Sequence, residues 1–426
     1  MSQRRVVVTG MGVVAPNAIG LEDFSIALRK QISGIKEIDE LKRLKFACTL
    51  GGVPPVTEEL KKKYFSNRTL KFLTSSAVTY ACIAGVDAWL DAGFLLKDKE
   101  DNTEPHWNAG TIFGVSIANV EPLHDAFILV DELKVKYTGT RVVEQTMGSA
   151  PSVYLAGLIG LGNKVTSNSS ACSTGAEAIL DGFEYIRLGK ADIMLCGSTD
   201  SGGPYVWGGF EAMRATNQKM NDDPEGASRP MSASASGFIP GSGSGALVLE
   251  DLEHAQKRGA KIYAEVLGGA TNNGGQRQGG TMTFPNYHGI RKCISEAIKN
   301  AQIKPTDIDL VCGHLTATMG DTGEIKAWSE VLQLKGKEFP YINSAKSLIG
   351  HCIAGAGSIE SVAAILQING GFIHGNKNSE DLHPEIEAII DRERVPLQTI
   401  EKEIKIVGKS SFGFGDVNAV LFFSKF

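Results

Sequence analysis

The chain has 426 residues, 42% of them apolar and 21% charged, with a formal net charge of −5. That length allows two or three domains whose cores need no staples, and a mildly acidic balance without a long basic block excludes nucleic acid as the main partner. No apolar run reaches the roughly 18 residues a membrane helix needs, so no membrane insertion is expected.

The opening "MSQRRVVVTGMGVVAP" has a basic start, but its apolar stretch is β-branched and broken by glycine and proline. It reads as a first strand rather than a secretory leader. Gly10, Gly12 and Ala15 have the spacing of a dinucleotide-binding turn, yet Pro16, Asn17 and Gly20 interrupt the helix such a turn must open into. A nicotinamide-dependent dehydrogenase therefore has little support. The stretch 60–72, "LKKKYFSNRTLKF", is the one local basic concentration, either a solvated face or a dock for an acidic protein. Amphipathic helices are expected over 69–92, 285–300, 321–333 and 356–368. Residues 96–108, "LKDKEDNTEPHWN", read as a surface excursion.

Between the helices lie short runs of the kind buried strands show: "RRVVVTG", "AGTIFGVS", "DIMLCGS", "GALVLE", "KIYAEVLGG", "DIDLVCG", "IKIVGKS" and "AVLFFS". The class is α/β. The best seam follows the charged helix near 252, dividing the chain into 1–252 and 253–426, and simple self-comparison finds no repeat. "VGKSS" at 407–411 ends like a phosphate-binding loop but lacks glycine at position 403. It is not one.

The seven cysteines, at 48, 82, 172, 196, 293, 312 and 352, are odd in number and include no Cys-x-x-Cys pair. This argues against a disulfide framework or zinc site and for a reducing cytoplasm. One of them has a distinctive setting, "SNSSACSTGAEAILDGF" at 167–183, a small, hydroxyl-rich run ahead of a helical apolar pattern that stops at Gly189. Cys172 would sit in the first helical turn, where unpaired N–H groups favour a thiolate. Taken alone, a buried cysteine acting as a small hydrophobe explains it as well.

Three further segments join reactive residues to glycine: "CGHLTATMGD" at 312–321, "NSAKSLIGHCIAGAGSIE" at 343–360 and "KSSFGFGDVNAV" at 409–420. They place His314, Lys346, His351, Phe412 and Phe414 in turns at element boundaries. A lone histidine, lysine or Phe-Gly turn is ordinary, but one cysteine, two histidines and a lysine in such turns form a set.

In order and spacing, "SACSTG", "GHLTATMGD", "AKSLIGHCIAGAGSIE" and "SFGFGDVNA" resemble the active-site motifs of the β-ketoacyl-acyl-carrier-protein synthases, and the likeness runs nearly the whole chain. The resemblance implies a thiolase-like fold, a five-layered αβαβα sandwich of two similar βαβαβαββ halves, the first carrying the cysteine and the second the histidines, lysine and gating phenylalanine. It implies Cys172 as the nucleophile, and His314 and His351 as neutral donors to the enolate left when a malonyl thioester loses carbon dioxide. Lys346 would be an orienting cation supported by Glu360. Backbone N–H groups of Cys172 and Phe414 would form the oxyanion hole, with Phe412 and Phe414 at the gate and Phe238 retained beside the pocket. Thr316 and Thr318 would bind the phosphopantetheine arm of an acyl carrier protein, and Lys62, Lys63, Arg68 and Lys71 would dock that acidic carrier. No permanently bound cofactor is expected.

The chain departs from the family pattern at Leu315, Ala317 and Asp416, where glycine is usual, and in the serine-rich 231–244 segment, where charged residues are usual. These departures favour the ketosynthase of a type II polyketide synthase, of the sort that makes aryl polyenes or aromatic polyketides, over an elongating fatty-acid synthase. Such a chain would pair with a chain-length factor, or otherwise form a homodimer. Cys172 disfavours a catalytically silent chain-length factor, and two histidines disfavour a non-decarboxylating thiolase.

Overall fold

The computed structural model describes residues 4–96, 103–117 and 119–426. In the first half the main strands are β1 (Val6–Ala15), β2 (Ala109–Val115), β3 (Val165–Thr166), β4 (Ile193–Asp200) and β5 (Gly243–Asp251), with helices α1 (Ser76–Asp91), α2 (Ala150–Ile159) and α3 (Thr174–Arg187). In the second they are β6 (Ala264–Asn273), β7 (Leu310–Cys312), β8 (Tyr341–Asn343), β9 (Ile406–Gly413) and β10 (Val417–Ser424), with α4 (Tyr287–Ala301), α5 (Gly320–Leu332) and α6 (Ala356–Gly370). The first five strands lie in the order β1-β5-β4-β2-β3 and the second five in the order β6-β10-β9-β7-β8. Both orders read first, fifth, fourth, second, third. The pairings match too, antiparallel across the first two contacts of each series and parallel across the last two.

This is an internal duplication that residue comparison does not reveal, because the two halves keep topology and burial rather than identity. Three antiparallel pairs, Val6–Val266, Val7–Glu265 and Val8–Ala264, join the two five-stranded arrays at their first strands. Helices α1 and α2 cover the outer face of the first array, α4 and α5 that of the second, and α3 and α6 pack between them. The expected five layers are present, with the middle one almost wholly buried: α6 hides Ala356 to Ile365 without a break. A helix apolar all round is a core helix.

The middle helices touch through glycine. A Cβ at Gly175 would lie 2.4 Å from the Ser358 nitrogen, and one at Gly357 would lie 2.7 Å from the Ala176 nitrogen. Backbone stands on both sides, so neither helix can yield locally. Gly175→Ala is expected to destabilise the protein by about 3 kcal/mol, the upper range for overpacking, read as a lowered urea midpoint.

The supposed dinucleotide turn is part of a continuous strand. β1 runs straight through Gly10 and Gly12, where a Cβ would meet the α1 carbonyls of Ala88 at 2.2 Å and Ala84 at 2.0 Å. These glycines serve sheet-to-helix packing. The helix expected over 69–92 is two helices, Asn67–Leu70 and α1, because Ser75 leaves the helical conformation and caps α1 by accepting from the Val78 N–H at 3.1 Å. The two-residue β3 and three-residue β8 were not expected; both are too short to show a period. In the 96–108 excursion, residues 97–102 lie outside the described residues, and Trp107 is 62% exposed. Among the described residues, no helix is long and apolar enough to cross a membrane. All seven cysteines are buried, and none forms a disulfide.

Candidate active site

Cys172 sits in a single 3-10 turn, Ala171–Ser173, that runs directly into α3. Its counterpart in the second half is the turn Ile353–Gly355 ahead of α6. Both turns begin with a non-glycine residue of positive φ, Ala171 at 48° and Ile353 at 51°. That conformation costs about 1 kcal/mol for a residue with a side chain. Here it aims the following residue across the seam between the halves, where His351 is delivered by the chain just before the second turn.

The Nε2 atom of His351 lies 3.1 Å from the Cys172 sulfur. Its Nδ1 accepts a hydrogen bond from the Ile353 N–H at 3.2 Å. An accepting Nδ1 carries no proton, so in the neutral ring the proton is on Nε2 and points at the sulfur. The His314 ring stands 5.3 Å from that of His351 at 81°. One nitrogen of each ring and the sulfur all lie within 4.8 Å of one another. Burial first, and the Lys346 charge second, hold both imidazoles well below the usual histidine range. Both rings are therefore neutral donors at physiological pH.

Cys172 behaves differently from the expectation of a resting thiolate. Burial pushes its thiol up to about 11, against the opposing pull of the Lys346 charge and the Phe414 N–H. The helix tip does not outweigh desolvation, and Cys172 rests as a thiol. Alkylation of Cys172 by iodoacetamide is accordingly expected to accelerate about tenfold per unit from about pH 6.5 to about 8.5. Peptide mass spectrometry reads this, and a rate that levels off near neutrality would contradict it.

Behind the histidines lies a buried charge cluster. Lys346, at the start of a one-turn helix (Lys346–Ile349), pairs with Glu360 Oε1 of α6, and Lys409 Nζ of β9 stands 2.9 Å from Glu360 Oε2. None of the three is more than 3% exposed in its side chain.

The loop that carries His314 is held from α5. Glu324 accepts from the N–H groups of His314 and Leu315 at 2.8 and 2.9 Å, and Asp321 from those of Thr316 and Ala317 at 2.8 and 3.1 Å. Leu315 and Ala317 have φ of 20° and 61°. The usual glycines at these positions thus have a backbone reason, and here two fully buried carboxylates hold side-chain-bearing residues in a conformation that glycine would adopt freely. Burial raises Asp321 to about 6 and raises Glu324 as well. Thr316 and Thr318 face each other, their hydroxyl oxygens 3.0 Å apart.

Phe412, next to last in β9, has its ring 6.3 Å from that of His314, and Phe238 stands edge-on to His351 at 5.3 Å. Phe414 follows in the turn, with Asp416 at φ 63°. The Asp416 carboxylate accepts from the N–H groups of Asn286 at 2.7 Å and Gln276 at 3.0 Å, so this departure from glycine ties the Phe414 turn to the 276–286 loop. In the serine-rich segment, Asp381 accepts from the Ser232 hydroxyl, from the Ser234 N–H at 3.0 Å and from Arg229 at 3.1 Å.

A cavity of about 420 Å3 brings together Cys172, His314, His351, Thr316, Thr318, Phe238, Phe412 and Phe414. Lys346 and Glu360 lie behind it. Lys62, Lys63, Arg68 and Lys71 are exposed, around the one-turn helices Glu58–Lys61 and Asn67–Leu70, and do not line it. Sequence reasoning missed Lys409, Asp321 and Glu324. The available signals were a lysine inside the otherwise uncharged strand IVGKSSFG and two carboxylates three residues apart on the helix after His314.

Residues 3–255 match the family model for the N-terminal domain of beta-ketoacyl synthase, and residues 263–380 that for its C-terminal domain. Among curated proteins, 3-oxoacyl-acyl-carrier-protein synthase I, chloroplastic, of Arabidopsis thaliana is 33% identical over 100% of this chain and 87% of its own length. The 3-oxoacyl-acyl-carrier-protein synthase 1 of Escherichia coli K12 is 32% identical over 99% of both chains. Among solved structures, the ketosynthase of a type II polyketide synthase in complex with its acyl-carrier protein superposes with a TM-score of 0.87 at 28% identity, covering 100% of both chains. With both family domains matched in order and a thiol and two neutral imidazoles sharing one cavity, the chain belongs to the beta-ketoacyl synthase family of condensing acyltransferases.

Proposed function

We infer that this protein joins an acyl group carried on Cys172 to a malonyl group carried on an acyl carrier protein, by decarboxylative Claisen condensation, as the active ketosynthase of a type II polyketide synthase. The observation that carries the reading is the convergence of one thiol and two neutral imidazoles on one cavity. The Cys172 sulfur attacks the acyl thioester, its bond to the acyl carbon forms as the carrier sulfur leaves, and the thiol proton passes to that sulfur. N–H groups of Cys172 and Phe414 stabilise the tetrahedral oxyanion. Malonyl thioester then loses carbon dioxide, and its C–C bonding pair becomes an enolate. The N–H groups of His314 and His351 donate to the enolate oxygen, each worth about 3 kcal/mol in a dry site. The enolate carbon attacks the Cys172 thioester, and the sulfur departs and takes up a proton. No resident cofactor is required, since loss of carbon dioxide drives the step.

Thr316 and Thr318 at the cavity are suited to hydrogen-bond the amides of a phosphopantetheine arm. The similar ketosynthase solved with its acyl-carrier protein supports a carrier as partner, and the exposed Lys62, Lys63, Arg68 and Lys71 suit an acidic one. Phe127 and Leu133, 62% and 92% exposed, are large apolar side chains of the kind that a partner subunit covers. A ketosynthase/chain length factor structure, at a TM-score of 0.87 and 26% identity, supports a heterodimer. Seven buried cysteines outside any disulfide fit a reducing cytoplasm. The curated relatives, named as 3-oxoacyl-acyl-carrier-protein synthases, support a second reading as a fatty-acid elongation enzyme, for which a homodimer is the alternative assembly.

Incubating the protein with acyl-carrier and malonyl-carrier, with and without a candidate chain-length factor, distinguishes the two. The polyketide reading predicts unreduced poly-3-oxo chains whose length depends on the added factor. A single 3-oxoacyl product from the protein alone supports the fatty-acid reading.

A further inference from the structure

We propose that Lys409 is a positioning residue of this site: it takes the second carboxylate oxygen of Glu360, so that one buried anion is shared by two buried lysines and an unbalanced positive charge stands behind the two imidazoles. The catalytic part of this inference rests on the condensing reading above; the electrostatic part does not.

The strand β9 explains the arrangement. Side chains on a strand alternate between its faces, so Lys409 and Ser411 point one way and Ser410 the other. Lys409 reaches Glu360 of α6, donates to the Ser411 hydroxyl at 3.0 Å and to the Ser410 carbonyl, and is fully buried. On the opposite face the Ser410 hydroxyl donates to Glu324 at 2.7 Å, the same carboxylate that holds the N–H groups of His314 and Leu315. One strand thus anchors the pair behind His351 and the clamp behind His314, and it ends at Gly413, immediately before Phe414. A buried lysine with no role would be replaced by an apolar residue at little cost, since a buried charge is retained only against its desolvation.

The charge has a clear use. Lys346 with Glu360 alone would be a neutral pair. Within the trio, adding Lys409 leaves one excess cation, which disfavours protonation of both imidazoles and favours the negative charge that appears on the malonyl fragment. The further titratable groups that face the trio are Glu324 from α5 and Cys312 from β7, which interact with Lys409, and Cys352 and His374, which interact with Glu360; Glu324 accepts from the Ser410 hydroxyl and from the His314 and Leu315 N–H groups. The Lys409 charge is among the main influences on both His314 and His351, whereas the charge that lowers Cys172 most is that of Lys346. Its removal should therefore move the imidazoles and leave the sulfur little changed.

The test compares the full chain with Lys409→Met and with Lys409→Gln, which keeps a polar contact to Ser411 without the charge. Imidazole nitrogen shifts of labelled histidine are expected to place the protonation of His314 and His351 about one pH unit higher in either variant. Carbon dioxide release from malonyl-carrier is expected to fall about tenfold in kcat, with its acid limb moved to higher pH and KM within about threefold. Cys172 alkylation is expected to keep the wild-type pH profile. Imidazole titrations and acid limb unchanged in a variant that folds would overturn the proposal, as would failure of both variants to fold, which would assign Lys409 to stability alone. If wild-type protein releases no carbon dioxide, the condensing reading falls, while the imidazole titrations still decide the electrostatic role.

Discussion

Alanine at position 172 is expected to abolish covalent acyl loading. Intact-protein mass spectrometry after incubation with an acyl-carrier should show the full acyl increment on the wild type and none on Cys172→Ala, with condensation reduced at least about a thousandfold. The expectation is specific to this sulfur. The other six cysteines are buried as well, but none of them lines the cavity, and Cys196, Cys293, Cys312 and Cys352 are held as thiols by burial more strongly than Cys172. Cys172 has a ring N–H at 3.1 Å and a backbone N–H from Phe414 to receive negative charge as it forms. Loading of the alanine variant at the wild-type level would remove the nucleophile from the account.

The second large effect separates the two histidines. His314→Ala should still load an acyl group, because the contact to sulfur comes from His351, yet carbon dioxide release from malonyl-carrier should fall about a hundredfold to a thousandfold with the loss of one enolate donor. The acyl-enzyme would then accumulate in the presence of malonyl-carrier. That pattern, loading intact and decarboxylation lost, is measured by following acylated protein and released carbon dioxide in the same reaction. Equal loss of both steps would mean that His314 supports the fold of its loop rather than the enolate.

Much of this site is legible in the linear sequence because its parts are punctuated. Cys172, His314, Lys346, His351 and Phe414 each lie in a glycine-flanked turn at the end of a strand or the start of a helix, and such turns are written in local residue choice. Their convergence follows from the strand order, which brings the ends of β7 and β9 and the two 3-10 turns to one side of the seam. The duplication is not written in residue identities. β1 reads VVVTGMGVVA and β6 reads AEVLGGATNN, equal in length and position but alike in little else.

Long-range electrostatics were also hidden. A helix tip near Cys172 is visible locally, but the burial that overrides it comes from the fold, which seats Cys172 against His351 of the second half in a cavity that Phe238, Phe412 and Phe414 also line. Lys409 is part of a quoted motif, yet its partner lies 49 residues earlier on another element (409 against 360), and only the fold brings them together. The same holds for Asp321 and Glu324, whose four backbone contacts make sense of Leu315 and Ala317 only after the loop is in place.

The central claim is that decarboxylation and carbon–carbon bond formation share the cavity of Cys172, His314 and His351. It is tested most directly by mixing protein preloaded with an acyl group on Cys172 with malonyl-carrier labelled with carbon-13 at the free carboxylate. The account predicts one labelled carbon dioxide for each acyl group lost from Cys172, and one unlabelled 3-oxoacyl-carrier in its place. An acyl group that leaves Cys172 by hydrolysis while the labelled carboxylate stays on the carrier would contradict it.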